Sequence, residues 1–181
     1  MTYHLKKSIV LVGMMGAGKT AIGTSLAARL SVPFLDSDEE IVKAAKMPIS
    51  DIFERDGEAF FRARESEVIA RLLDGEPTIL STGGGAFLAE ENRNLIASKA
   101  VSLRLAADVD LLWSRVRHKN TRPLLRTDNP RKTLEDIFAA REPIYEMATL
   151  SVHADPSYSI EEMTDKVVAM LLKTPEILEE T

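Results

Sequence analysis

Short apolar runs alternate with longer amphipathic stretches along most of the chain. Five runs have the length and composition of strands that are covered on both faces: Ser8–Val12, Pro33–Leu35, Thr78–Ser81, Ala100–Leu105 and Leu150–His153. Between and after them, apolar residues recur at helical spacing in seven stretches: Lys19–Leu30, Glu39–Lys46, Glu58–Leu73, Glu90–Ser98, Asp108–Lys119, Lys132–Met147 and Ile160–Lys173. This alternation predicts β-α units around a parallel sheet, the pattern of an α/β fold.

Two regions interrupt the alternation. About forty residues, mostly helical, separate the second strand from the third, which is more than a simple crossover requires. Residues 117–131 (RHKNTRPLLRTDNPR) are polar and basic and contain two prolines, which is typical of a mobile loop. We therefore expect one α/β domain with its core at about 8–175, a helical substrate-binding segment at about 37–73 and a lid at about 117–131. Pro143 is expected to kink or divide the helix that contains it.

Composition narrows the classes of function. The 181 residues carry a formal net charge of −5 and are 45% hydrophobic, which argues against a disordered chain and against a general nucleic-acid binder. No apolar run approaches the roughly 18 residues that a membrane span requires. Cysteine is absent, which excludes disulfides and thiolate metal sites and fits a cytoplasmic protein. No exposed apolar stripe stands out, so we expect a monomer. Together with the charge and the short apolar runs, these features predict a cytoplasmic protein that binds neither nucleic acid nor membrane.

The segment GMMGAGKT (Gly13–Thr20) follows the first strand and opens the first helix. It fits the phosphate-loop pattern G-x-x-x-x-G-K-[ST] at every fixed position. The glycines allow successive N–H groups to point at phosphate oxygens, and the helix N-terminus adds its dipole. Lys19 would then reach the β and γ phosphates, and the Thr20 hydroxyl would ligate Mg²⁺. The motif alone leaves GTPases, ATPases, nucleotide kinases and metabolite kinases open, with an ordinary glycine-rich turn as the alternative.

Two carboxylates, Asp36 and Asp38, follow the second strand in FLDSDEE. The carboxyl ends of strands face the ligand crevice of a doubly wound sheet. One carboxylate could act on Mg²⁺ or its waters and the other on a substrate hydroxyl. The alternative is helix capping, because the same residues lead into a helix.

Further along, Arg62 and Arg64 suit a substrate carboxylate, since a guanidinium binds it in bidentate fashion. The alternative is a solvated helix face on which Arg62 pairs with Glu65 or Glu58. The neighbouring Phe60 and Phe61 are expected in the core.

Three glycines follow the third strand in Ser81–Gly85 (STGGG). They permit a small ligand to approach the backbone closely, although a flexible turn is the alternative. Many phosphate-loop proteins carry a Mg²⁺-associated aspartate at the end of this strand, where Ser81 stands here. That replacement disfavours a GTPase or a motor.

Several short motifs occur together and in order: Gly13–Thr20, LDSD at 35–38, FR at 61–62, GGGA at 83–86, RPLL at 122–125 and REPIY at 141–145. In this order and spacing, from about residue 8 to about residue 155, the chain resembles the shikimate kinase family. The resemblance implies ATP-dependent phosphorylation of the 3-hydroxyl of shikimate, on the route to aromatic amino acids. It also implies a three-layer phosphate-loop kinase fold whose five parallel strands have the order 2-3-1-4-5.

The resemblance also implies roles for individual residues. The implied catalytic residues are Lys19, Asp38 and Arg122. ATP would be bound by the phosphate loop and two arginines: Gly13, Met15, Gly16, Ala17, Gly18, Lys19, Thr20, Arg115 near adenine, and Arg122 in the lid. Shikimate would be bound by Asp38 at its hydroxyls, by two arginines at its carboxylate and by the glycine turn: Asp38, Arg62, Arg141, Gly83, Gly84 and Gly85. Mg²⁺ would be held by Thr20 and, through water, by Asp36.

Some features depart from the family pattern or lie outside it. Ala21 stands where the family often has a second hydroxyl residue, so we expect a hydroxyl contact to the α-phosphate to be absent. The acidic tail PEILEET, residues 175–181, is predicted to be a solvated end. A gluconate kinase and a nucleotide-binding regulator without catalysis remain alternatives. A regulator without catalytic activity would be expected to lose Lys19, Asp38 or Arg122, and all three are present.

Overall fold

The computed structural model describes residues 2–118 and 123–181. Seven strands are found there: β1 Tyr3–Leu5, β2 Ser8–Val12, β3 Phe34–Asp36, β4 Ile79–Ser81, β5 Ala100–Ala106, β6 Leu150–His153 and β7 Leu178–Glu180. The same part of the chain contains seven α-helices: α1 Lys19–Leu30, α2 Ser37–Ala45, α3 Ile49–Leu73, α4 Glu90–Lys99, α5 Val109–Val116, α6 Pro130–Tyr145 and α7 Ile160–Leu172. Two short 3₁₀ turns cover Ala86–Leu88 and Pro123–Leu125.

Five strands form the parallel sheet in the order β3-β4-β2-β5-β6. Counted among these five alone, the order is the predicted 2-3-1-4-5. The central strand β2 is completely covered, because Ile9, Val10 and Leu11 have no exposed surface. Because β2 pairs in parallel with β4 on one side and β5 on the other, the carboxyl ends of the three strands lie side by side. The phosphate loop, the residues after β3 and the glycine turn after β4 leave the sheet at the same edge.

The segment between β3 and β4 has its own apolar cluster, formed by Ile41, Ile52, Phe61 and Val68. Helix α3 begins at Ile49 rather than at the predicted Glu58, and it is interrupted at Gly57, whose φ of 87° and ψ of 170° are not helical. The prediction started the helix after this break and missed the half before it.

Two aromatic predictions for this segment have different outcomes. Phe61 is buried as expected and packs on Phe53 with ring centroids 4.7 Å apart. Phe60 was wrongly predicted in the core and is 38% exposed. Successive helical residues point about 100° apart, so only one of the two can face the cluster.

The chain ends are tied together, which corrects the prediction of a solvated tail. Strands β1 and β7 pair antiparallel, with Leu5 opposite Leu178. Ile177 and Leu178 are buried in the main core, and Lys6 forms an ion pair with Glu179 at 2.8 Å. The tail buries two adjacent apolar residues and exposes the two glutamates that follow, so it has no strand alternation for periodicity to reveal.

Helix α6 begins with Pro130 in its first turn and is capped by the Asn129 side chain, which accepts from the Lys132 amide at 3.2 Å. Pro143 was expected to kink or divide this helix; it does not divide it, because the helix continues for two residues beyond the proline, to Tyr145. Helix α5 ends at Val116, before the predicted Lys119. None of the described helices is long and apolar enough to cross a bilayer.

Candidate active site

The phosphate loop depends on three glycines with positive φ: Gly13 at 144°, Gly16 at 82° and Gly18 at 98°. A Cβ on Gly13 would lie 2.7 Å from the Leu105 carbonyl oxygen on the adjacent strand, so the loop can pass β5 only without a side chain there. Gly18 is the N-cap of α1, and no side chain caps this helix. The N-terminus of α1 therefore presents its amides to the cleft.

Lys19 lies in the first turn of α1 and bends back over the loop. Its Nζ donates to the Gly13 carbonyl at 2.6 Å. Thr20, next in the chain, is exposed at the mouth of the loop. A half-buried ammonium and an exposed hydroxyl thus lie side by side at the positive end of the helix.

The two carboxylates after β3 have different contacts. Asp36 is the N-cap of α2, and its Oδ1 accepts from the amides of Asp38 at 2.9 Å and Glu39 at 3.1 Å. Capping, which the sequence left open, is therefore a task of Asp36. Both carboxylates line the cleft, and that of Asp38 lies beside Gly83. Burial raises the pKa of Asp38, and the Asp36 carboxylate raises it further, while the positive charges of Lys19 and Arg62 oppose both effects.

The three glycines after β4 each leave space for one side chain. A Cβ on Gly83 would lie 2.6 Å from the Oδ1 atom of Asp38, and one on Gly84 would lie 3.0 Å from the Nη1 atom of Arg141. A Cβ on Gly85 would collide with the Arg62 guanidinium. None of the three has a positive φ, so the requirement is for space rather than for backbone freedom. Asp38, Arg62 and Arg141 thus surround one short turn.

Two residues that the sequence analysis did not assign to the site support it: one contacts Arg62 and the other the glycine turn. Glu65 is 1% exposed and accepts from Arg62 Nη1 at 2.9 Å, and burial raises the pKa of Glu65 while Arg62 opposes the rise. The hydroxyl of buried Tyr145 donates to the Gly84 carbonyl at 2.5 Å. Burial raises the pKa of this phenol, and the Arg141 charge acts against that rise. The available signal was helical spacing, since Glu65 follows Arg62 by three residues and Tyr145 follows Arg141 by four.

Arg64 does not join the site. It pairs with Glu67 at 2.8 Å on an exposed face and lies over the Phe60 ring. The solvated-face alternative therefore describes Arg64. Arg62 combines both possibilities, because it pairs with Glu65 and also lines the cleft.

A cleft of about 1320 Å³ joins the phosphate loop to the glycine turn. Met15 to Thr20 line one part, and Asp36, Asp38, Arg62 and Arg141 line another. Arg115 borders the phosphate-loop end and donates to the Gly16 carbonyl at 2.9 Å. The predicted lid residue Arg122 lies outside the described residues.

The wall beyond the phosphate loop comes from the segment after β6. Ala154, Tyr158, Ser159, Ile160 and Met163 line the cleft there. The sequence analysis missed these residues because they carry no charge or motif. Only the return of β6 to the sheet edge brings them beside the loop.

A family model described as "Shikimate kinase" matches residues 15–172. The chain belongs to the shikimate kinase family. A shikimate kinase of Ruegeria pomeroyi is 62% identical over 97% of this chain and 90% of its own length, and one of Cereibacter sphaeroides is 58% identical over 97% and 88%.

Solved structures agree on the fold. The shikimate kinase of Acinetobacter baumannii in complex with shikimate has a TM-score of 0.84 and 36% identity, covering 92% of this chain and 93% of that one. A gluconokinase of Sinorhizobium meliloti has a TM-score of 0.63 at 19% identity over 94% of each chain, so it shares the fold alone. Membership of the shikimate kinase family thus answers the question that the phosphate loop left open, and it confirms an ATP-dependent kinase.

Proposed function

We propose that the chain transfers the γ-phosphoryl group of ATP to the 3-hydroxyl of shikimate, giving shikimate 3-phosphate and ADP for aromatic amino-acid biosynthesis. The observation that carries the proposal is the single cleft in which a phosphate loop faces one carboxylate and two arginines. ATP occupies the phosphate-loop end, with Gly13 and Met15 to Thr20 around the phosphates and Arg115 beside the base. Shikimate occupies the end bordered by the glycine turn.

Charge complementarity supports the acceptor site. Arg62 and Arg141 approach the turn from two helices and bind the shikimate carboxylate, because paired guanidinium groups suit a planar anion. The backbone of Gly83, Gly84 and Gly85 offers close approach to the ring. These contacts fix the acid end of the substrate, so that its hydroxyls point toward Asp38.

The reaction forms a bond between the acceptor oxygen and the γ-phosphorus and breaks the bond from that phosphorus to the β,γ-bridging oxygen. Asp38 accepts a hydrogen bond from the 3-hydroxyl and orients its oxygen, and it takes the proton as transfer proceeds. A loose transition state needs little help from a base until late in the reaction, so orientation is the larger part of this role. The leaving oxygen departs with ADP.

Lys19 stabilises the charge that develops on the transferring group, since it reaches the β and γ phosphates from the loop. Arg122 closes over the same oxygens from the lid at about 117–131, and closure limits transfer to water. The segment at about 37–73 supplies Asp38 and Arg62. These divisions of the chain belong to the proposal.

The donor set suits Mg²⁺, which prefers oxygen ligands and retains several waters. Thr20 offers an exposed hydroxyl beside Lys19. Asp36 uses Oδ1 for both capping bonds, so its second oxygen is available to a metal-bound water. When bound, Mg²⁺ neutralises phosphate charge.

The enzyme works as a cytoplasmic monomer. One chain supplies both ends of the cleft, so catalysis needs no residue from a second copy. Shikimate, ATP and Mg²⁺ are its partners, and nucleic acid and membranes are not.

A coupled ADP-release assay with ATP and Mg²⁺ tests the substrate assignment. We expect turnover with shikimate and none above background with gluconate, which lacks the ring that the glycine turn borders. Turnover with gluconate but not with shikimate would overturn the proposal. The absence of turnover with either acid would instead support the alternative of a regulator.

A further inference from the structure

The glycine turn borders Asp38, Arg62 and Arg141, so its position decides where these side chains can lie. Its beginning is held by the sheet, because the Thr82 hydroxyl donates to the Leu11 carbonyl at 3.0 Å. Tyr145 holds its middle through Gly84. The fixing of its far end, where the chain enters the 3₁₀ turn Ala86–Leu88, is not explained by the proposed reaction.

All three carbonyls of this 3₁₀ turn accept bonds from side chains of α4. Asn92 Nδ2 donates to the Ala86 carbonyl at 2.9 Å. Arg93 donates to Phe87 at 2.8 Å and to Leu88 at 2.9 Å. Neighbouring residues of one helix thus fix the end of the glycine turn.

Asn92 differs from Arg93 because it also reaches α3. Its amide is 1% exposed, and its Oδ1 accepts from the Ser66 hydroxyl at 2.6 Å. Ser66 follows Arg62 by four residues, so the two lie on one face of α3. One buried amide therefore joins the helix that carries Arg62 to the turn whose Gly85 lies against the Arg62 guanidinium.

We infer that Asn92 is a positioning residue for the acceptor site: through Ser66 and the Ala86 carbonyl it fixes the gap between Arg62 and Gly85, and so the orientation of the guanidinium toward the substrate carboxylate. Both ends of the amide are used, as expected of a buried polar side chain whose geometry is specified. The inference rests on the proposed function, because it concerns the acid end of the shikimate site.

Asn92→Leu removes both bonds and keeps a similar volume. We expect the KM for shikimate to rise about tenfold, because small displacements of binding groups have large effects on orientation. The KM for ATP should change less than about twofold, since the phosphate loop is held by β2 and α1. Asn94→Ala, at an exposed position of the same helix, is the matched control and should leave both constants unchanged.

Non-additivity distinguishes positioning from a merely structural role. Added to Arg62→Ala, the Asn92 substitution should raise the KM for shikimate much less than it does alone, because its effect passes largely through that guanidinium. Ser66→Ala, which removes only one bond, should give a smaller rise in the same direction, and Ser66→Thr should restore the original value. If Asn92→Leu folds poorly, Ser66→Ala tests the inference in its place.

Equal increases in both KM values, or full additivity with Arg62→Ala, would overturn the inference. So would a lowered melting temperature with an unchanged KM for shikimate. These outcomes are read in variants of an active wild-type chain. A wild-type chain that fails to phosphorylate shikimate contradicts the proposed function instead.

Discussion

Arg62 has one guanidinium nitrogen, Nη1, hydrogen-bonded to buried Glu65, and it also lies over the Phe61 ring at 5.2 Å. These contacts limit its rotamers before any substrate binds, so less entropy is lost on binding. The arginine is 34% exposed at its side chain and faces the cleft. Arg62 is therefore held by Glu65 and Phe61 while its side chain remains accessible from the cleft.

Arg62→Ala should weaken the acceptor site selectively. Losing charge-assisted hydrogen bonds to a carboxylate costs about 1.5–3 kcal/mol, or about a ten- to hundredfold increase in the KM for shikimate. The KM for ATP should stay within about twofold. Steady-state kinetics with each substrate varied measures both.

Arg64→Ala is the matched control, because Arg64 lies two residues away on an exposed face and pairs with Glu67. It should behave like the wild type. Equal weakening of shikimate and ATP by Arg62→Ala would contradict the carboxylate role.

Gly83→Ala tests the need for space in the glycine turn. The new Cβ would lie 2.6 Å from Asp38 Oδ1 and would push the carboxylate away, so kcat should fall at least about tenfold. Gly75→Ala is the control, because its nearest neighbour is 3.9 Å away. A Gly83→Ala enzyme with unchanged kcat would show that Asp38 is free to move without consequence.

Asp38 also predicts a pH dependence of stability. Because its pKa in the folded chain is raised, the folded state holds the proton more tightly than the unfolded state. The stability from this carboxyl is present below the ordinary pKa and is lost as the pH rises through the raised one. Asp38→Asn should therefore melt higher than the wild type at neutral pH, with the difference shrinking toward pH 4, and it should lose most activity. Thermal unfolding across pH measures this, and a lower melting temperature of Asp38→Asn at neutral pH would contradict it.

At the scale of elements, the five strands of the parallel sheet and most helices follow from the sequence because their apolar pattern is clear. The phosphate loop could be predicted fully, since motif, strand and helix are contiguous. Tyr145 and Asn92 could not, because each acts through a contact that only the packing of α4 and α6 on the glycine turn creates. The pairing of Glu65 with Arg62 was foreseen from helical spacing, but its burial beside the cleft was not. The Gly57 break in α3 was missed because a single glycine gives no periodic signal. The pairing of β1 with β7 was missed because these short strands, YHL and LEE, are not apolar runs.

The antiparallel pair of β1 and β7 should contribute to stability rather than to catalysis. Leu178 is 1% exposed, and truncating a buried leucine to alanine costs about 2–5 kcal/mol. Leu178→Ala should lower the melting temperature by about 2–4 °C per kcal/mol, with kcat unchanged at temperatures where it remains folded. Glu180→Ala, at an exposed position of the same strand, is the control. A Leu178→Ala chain that melts like the wild type would show that the tail is indeed a loose end.

At the scale of the whole molecule, the sheet brings together residues that are far apart in sequence. Lys19 follows β2, Asp38 follows β3, the glycine turn follows β4, and Arg141 lies on α6. Each alone has an ordinary structural explanation. Their convergence on one cleft supports the proposal that a phosphate donor site and an acid-binding acceptor site share one space, as phosphoryl transfer requires.

The position of the transferred phosphate tests this account most directly. A ³¹P–¹H correlation spectrum of the product formed from ATP, Mg²⁺ and shikimate identifies the carbon that carries the new ester. We predict one phosphate, on the 3-oxygen, with one ADP formed for each product molecule. A phosphate on another oxygen, or ADP formed without a phosphorylated product, would contradict the arrangement of Asp38, Arg62 and Arg141 around the acceptor.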